Sequence, residues 1–312
     1  MTRHFRTLTD VNAQEFNRIL DLSAAVKKNP AAYRTKLAGK SIAVIFSKQS
    51  TRTRVSFEVG CYQLGAQPLI LTQAGNAGMQ MGRGETIHDT AQVMSRYVDC
   101  IVIRTFSQAE VDGLAEHGRV PVVNALTDES HPCQALADVL TMREHLGDLK
   151  GLKLVYAGAG NNVTHSLLQA GPRAGFDVVA ACPQGLEPDP VILRKAQEEA
   201  KAAGTHVSME HDLMNAAKGA DVLYTDTWVS MGQDAQADAL RSKLVGFSVT
   251  KQVMEAAKQK AIFMHCLPAH RGEEVTDEVI DGRWSVVFDE AENRLHTQKA
   301  LLLLLLGAES WA

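Results

Sequence analysis

The chain has 312 residues, about twice a common single domain, which favours two domains and allows a core of real size. With 45% hydrophobic and 22% charged residues it falls outside the disordered, collagenous and coiled-coil classes, and 5% aromatic content leaves aliphatic residues to fill the core. Lys+Arg 32 against Asp+Glu 36 gives a net charge of -4, which excludes a general basic field for nucleic acid or an anionic membrane, so any bound anion is held locally. Five scattered cysteines without a CxxC pair imply free thiols in a reducing compartment. The longest apolar run, 300–307 with six leucines, is far short of the roughly 20 residues that span a bilayer. The first residues lack a signal-peptide pattern and enter helical spacing at Phe16, Ile19 and Leu20, so cytoplasmic residence is expected.

Short β-rich runs alternate with amphipathic helical stretches, the pattern of parallel βαβ units. In a first series, strands are predicted at 41–46, 68–71, 100–103 and 121–124, with helices near 54–64, 86–97 and 108–117. Ser50-Thr-Arg-Thr-Arg54 follows the first strand and opens a helix. Unpaired N–H groups, the positive end of the helix dipole, hydroxyls and guanidinium forks there suit a phosphate; the plainer alternative is an N-cap with solvated arginines. A P-loop is excluded, because its glycine spacing and Gly-Lys-Ser/Thr ending are missing. His131-Pro-Cys-Gln134 lies beyond the fourth strand at the mouth of a helix over 133–146, where imidazole and amide can donate to a carbonyl oxygen.

Leu146-Gly-Asp-Leu-Lys-Gly151 has the glycine and charge content of a boundary and divides the chain into 1–147 and 148–292. The second series places strands at 153–156, 178–181, 221–224, 261–264 and 285–288. Gly158-Ala-Gly-Asn-Asn162 stands where a dinucleotide fingerprint would, but Val163 replaces the third glycine and no acidic residue ends the next strand, which disfavours a nicotinamide cofactor. Asp226 in Asp226-Thr-Trp-Val-Ser-Met-Gly232 suits an ammonium group or caps a helix. His265-Cys-Leu-Pro268 ends a further strand. Zinc on His131, Cys133, His265 and Cys266 is disfavoured: strand neighbours point to opposite faces, and CxxC pairs are missing. A leucine-rich helix over 293–306 must bury its surface and is expected to return to the first domain.

With these motifs the chain resembles the carbamoyltransferases, and within them the ornithine carbamoyltransferases, over nearly its whole length. Ser-Thr-Arg-Thr-Arg is shared with the aspartate enzymes; His-Pro-Cys-Gln, Asp-Thr-Trp-Val-Ser-Met-Gly and His-Cys-Leu-Pro narrow the likeness to ornithine. Ser47-Lys-Gln49 departs from the family's usual Glu/Gln-Lys-Pro. The resemblance implies two α/β domains, each a parallel sheet flanked by helices, with the active site in the cleft between them. It implies that Ser50, Thr51, Arg52, Thr53, Gln80, Arg104, His131, Gln134, Cys266, Leu267 and Arg294 bind carbamoyl phosphate, and that Asn162, Asp226, Ser230 and Met231 bind ornithine. Arg52, Arg104, His131 and Cys266 are the implied catalytic residues, with Cys266 and Asp226 orienting and deprotonating the amine. Citrulline and phosphate are the implied products, within arginine metabolism and biosynthesis, made without cofactor or metal by a cytoplasmic homotrimer or a multiple of trimers. Gln80 lies in the segment 75–84, which matches a loop that reaches a neighbouring subunit in the aspartate enzymes. The rival readings are transfer to another amine such as aspartate or putrescine, a zinc-dependent hydrolase, and a non-catalytic phosphate-binding module.

Overall fold

A computed structural model describes residues 2–73, 79, 81, 84–230, 232 and 234–312. Contacts divide the chain into two compact units, Met1–Ala137 with Arg294–Ala312, and Asp138–Asn293.

The first unit opens with helix α1 (Ala13–Lys28), whose start is closed by reciprocal hydrogen bonds between Asn12 and Glu15. Strand β1 (Ser41–Phe46), α2 (Thr51–Leu64), β2 (Gln67–Thr72), α3 (Ile87–Met94), β3 (Cys100–Arg104), α4 (Gln108–His117) and β4 (Val122–Leu126) then alternate. Their sheet is parallel in the order β2-β1-β3-β4. β1, β3 and β4 are buried almost throughout, as a parallel sheet covered on both faces requires, whereas edge strand β2 is largely exposed. Helix α5 (Pro132–Leu146) follows, and the division between units falls inside it, at Ala137/Asp138, upstream of the glycine-containing segment from which sequence suggests 147.

In the second unit come β5 (Lys153–Ala157), α6 (Asn162–Ala174), β6 (Asp177–Ala181), α7 (Pro190–Ala203), β7 (Val207–Glu210), α8 (Leu213–Ala217) and β8 (Val222–Thr225). They are followed by α9 (Ala237–Leu244), α10 (Lys251–Ala256), β9 (Ile262–His265), α11 (Asp277–Ile280) and α12 (Val287–Leu305). The second sheet is parallel in the order β7-β6-β5-β8-β9. β7 is missing from the sequence-based series, because a four-residue edge strand with one fully buried position leaves little apolar signal.

The strand predicted at 285–288 does not form. Ser285 makes a single bridge to Phe263, and Val287 and Phe288 already belong to α12, whose first turn carries Asp289 and Glu290. Short apolar runs are ambiguous between strand and helix, and here the acidic residues at the positive helix end accompany the helix. From Arg294 onward α12 belongs to the first unit, where Leu301, Leu302, Leu303 and Leu304 are buried. Each such burial contributes about 2 kcal/mol relative to exposure. Among the described residues no helix is long and apolar enough to cross a membrane.

In both sheets the strand order reverses direction once, between β1 and β3 and between β5 and β8. Loops leaving the carboxyl ends of neighbouring strands part at such points and open a crevice.

Candidate active site

The crevice of the first unit is lined by groups that suit an anion. Ser50, in extended backbone, caps α2 by accepting from Thr53 N at 3.2 Å. Thr51 and Arg52, on the same first turn, are exposed. Thr53 is buried, and its Oγ1 accepts from Arg294 Nη2 at 2.9 Å. At the other end of α2 the chain turns at Gly65 with φ 84°, where a Cβ would meet Arg34 O at 2.9 Å.

Arg104 ends β3, and its carbonyl accepts from Ser47 N at 2.9 Å, which ties the loop before α2 to the neighbouring strand. In that loop Lys48 is buried, pairs with Asp128 at 2.9 Å and lies 5.0 Å from the Phe106 ring. His131 precedes Pro132, the first residue of α5, and its carbonyl accepts from Gln134 N at 3.0 Å. Both His131 and Gln134 are buried. Burial first, then Arg294, Arg104 and Lys48, holds the His131 imidazole well below its usual pKa. At neutral pH it is uncharged, able to donate one hydrogen bond without adding charge.

The second unit gathers a different chemistry beyond β5, β8 and β9. Asn161 caps α6, its Oδ1 accepting from Val163 N and Thr164 N at 3.0 and 3.1 Å, while its Nδ2 donates to Asp226 Oδ2 at 2.8 Å. Asp226 Oδ1 accepts from Thr227 N at 2.7 Å and from the Cys266 thiol at 2.9 Å. Burial, then the Asp226 carboxylate, pushes the Cys266 thiol well above its usual pKa, so it stays protonated and donates. Of the five cysteines it alone is not fully buried. Asn162 and Ser230 are half-buried beside this group in sequence; Gln80 and Met231 lie outside the described residues.

The glycines of Gly158-Ala-Gly-Asn-Asn162 serve packing. A Cβ on Gly160 would stand 2.2 Å from Pro188 N, and Gly160 N donates to Leu186 O at 2.7 Å. Val163, in the third-glycine position, is buried.

Beyond β9 the backbone turns sharply. Leu267 has φ 58°, the one non-glycine residue with positive φ among those described, a conformation that costs about 1–2 kcal/mol. One ligand atom from each of Asp226, His265 and Cys266 lies within 4.8 Å of the others, so the three converge where opposite strand faces are expected. Cys266 lies past the last residue of β9, and strand alternation does not govern it. Both ring nitrogens of His265 are engaged, Nδ1 by Leu267 N at 2.9 Å and Nε2 by Glu274 Oε1 at 3.2 Å, so ligating a metal would cost one of these bonds.

Thr227 and Glu274 are residues that sequence reasoning does not single out, and nothing in the sequence signals Glu274.

Comparison with known proteins bears on both units. Residues 3–144 match the aspartate/ornithine carbamoyltransferase carbamoyl-P binding domain, and residues 150–305 the Asp/Orn binding domain of the same family. The chain belongs to the aspartate/ornithine carbamoyltransferase family. Within that family it is 52% identical over 303 residues to an ornithine carbamoyltransferase of Thermococcus kodakarensis, covering 96% of this chain and 95% of that one. It is 50% identical to an anabolic ornithine carbamoyltransferase of Pyrococcus furiosus, covering 98% and 96%. The solved ornithine carbamoyltransferase of Pyrococcus furiosus superposes with a TM-score of 0.94 at 49% identity, covering 99% of this chain and 98% of that chain.

Proposed function

We propose that this carbamoyltransferase moves the carbamoyl group of carbamoyl phosphate to the δ-amine of L-ornithine, giving L-citrulline and phosphate. The observation that carries the reading is Asp226, a buried carboxylate that accepts from Cys266, Thr227 and Asn161. Negative charge there favours a cationic amine and opposes the second carboxylate of aspartate. The names of the relatives support the same substrate, and the anabolic relative supports the biosynthetic direction.

Carbamoyl phosphate is assigned to Ser50, Thr51, Arg52, Thr53, Gln80, Arg104, His131, Gln134, Cys266, Leu267 and Arg294, with Arg52 neutralising the leaving phosphate. Ornithine is assigned to Asn162, Asp226, Ser230 and Met231. Thr53, Arg104 and neutral His131 donate to the carbonyl oxygen as charge develops on it. An alkylammonium has a pKa of about 10.4, so the δ-amine must lose a proton before attack. Asp226 orients the ammonium and passes its first proton to solvent; as the amine nitrogen bonds the carbonyl carbon and the carbon–oxygen bond to phosphate breaks, the departing phosphate takes the second proton. Cys266, a protonated thiol, orients Asp226 and does not act as the base.

The assignment is tested by offering the purified protein carbamoyl phosphate with ornithine, putrescine, N-acetylornithine or aspartate. Citrulline formation from ornithine, at a rate at least about tenfold above the others, is expected; preference for another amine overturns the substrate.

Assembly as a cytoplasmic homotrimer, or a multiple of trimers, is part of the proposal. Val55, Val59 and Tyr62 form an exposed stripe on α2 at helical spacing, with Tyr62 72% exposed, and Leu69 on edge strand β2 is exposed as well. Light scattering should give about three times 33.9 kDa or a multiple of that, and Tyr62→Asp should lower it; a wild-type monomer would end this part of the proposal.

A further inference from the structure

Leu267, with φ 58°, follows Cys266 directly. Its N–H donates to the Nδ1 of His265, two residues earlier, at 2.9 Å. A ring nitrogen that accepts carries no proton, so the single imidazole proton is on Nε2, which donates to Glu274 Oε1 at 3.2 Å. His265 and Glu274 are both fully buried, and the His265 backbone N–H is fixed separately by Glu290 Oε2 at 2.9 Å. Glu274 Oε1 also accepts from His270 N. The His270 ring lies 3.0 Å from Thr227 Oγ1, and Thr227 N donates to Asp226. Two hydrogen-bonded paths thus leave one buried carboxylate, one ending on Leu267 and the other on Asp226.

We propose that His265, oriented by Glu274, is a positioning residue that holds Leu267 in its left-handed conformation and so fixes the backbone edge presented to the carbamoyl group and the amine. The proposal rests on the substrate reading given above. The ring itself cannot exchange protons with substrate, being buried with both nitrogens engaged. Its role is that of an orienting second partner: the carboxylate selects the tautomer, and the tautomer supplies the acceptor. Without that acceptor Leu267, which precedes a proline, relaxes toward the extended region, and a displacement of about 1 Å at a reacting centre costs about a hundredfold in rate.

The two amide substitutions separate the two ring nitrogens. His265→Asn places an oxygen near the Nδ1 position, keeping the acceptor for Leu267 while losing Glu274. His265→Gln reaches Glu274 and loses the acceptor. His265→Gln is expected to lower kcat/KM for ornithine by about a hundredfold, mainly through kcat, whereas His265→Asn stays within about threefold of wild type. Equal losses in the two folded variants, or near-normal His265→Gln, would overturn the positioning role. Should either variant fail to fold, nitrogen NMR of wild-type His265 decides: an Nε2–H ring with unprotonated Nδ1 upholds the clamp, and an Nδ1–H ring overturns it. If the wild type makes no citrulline, the substrate reading alone falls, and the tautomer still judges the clamp.

Discussion

Arg52→Ala should abolish carbamoyl transfer while leaving the protein folded. Arg52 is exposed on the first turn of α2, so its removal takes away no core packing, and the expected change in stability is within about 0.5 kcal/mol. Its assigned work is electrostatic. Phosphate carries its negative charge into the leaving group, and the α2 start supplies N–H groups but only partial charge. A guanidinium adds a full charge and two parallel donors. Losing such a preorganised donor costs about 10²–10³ in rate, and a full charge on a leaving phosphate belongs at the upper end or beyond. Citrulline formation and thermal melting on the same preparation check both halves. An unchanged melt with turnover near wild type would remove α2 from the phosphate site, leaving Ser50 as a plain cap and Arg52 as solvated charge.

That plainer alternative shows where sequence stops being informative. The alternation of β1 to β4 with their helices is legible because central parallel strands are buried on both faces and read as apolar runs. The same signal fails at β7, an edge strand, and misreads 285–288, where Val-Val-Phe opens a helix. Motif position picks out Asp226 and Cys266 as candidates, each the residue after a strand, and His131 as the residue before α5. Protonation is not legible. His131 is neutral because burial, and then three cations, disfavour its charged form, and Cys266 is held as a thiol by burial and then by the Asp226 carboxylate 2.9 Å away, which follows another strand. Both are facts about residues distant in sequence. Glu274 is harder still, since it is linked to Leu267 and Asp226 only through His265, His270 and Thr227.

Asp226→Asn should cripple the ornithine half-site and change the chemistry of Cys266 in a measurable direction. The carboxylate now accepts from three donors: the thiol, the Thr227 N–H and the Asn161 amide. An asparagine keeps one acceptor oxygen and turns an NH2 toward groups that themselves donate, so at least one buried hydrogen bond is lost and the partner for the ammonium loses its charge. Truncating one side of a buried charge interaction costs about 2–5 kcal/mol, or about 30- to several-thousandfold in kcat/KM for ornithine. Carbamoyl phosphate binding, measured directly by calorimetry, should change far less, because its phosphate is assigned to α2 and the first unit. The thiol supplies the independent readout. Burial first, then Asp226, with smaller contributions from Glu290 and Asp138, raises its pKa; removing the Asp226 carboxylate takes away the largest charge contribution, so the thiolate appears at lower pH than in the wild type. Alkylation of Cys266 followed by mass spectrometry between pH 7 and 10 should therefore start at lower pH in Asp226→Asn. An identical pH profile in the two proteins would mean that the carboxylate does not govern the thiol, and Cys266 would lose its assigned part in orienting Asp226.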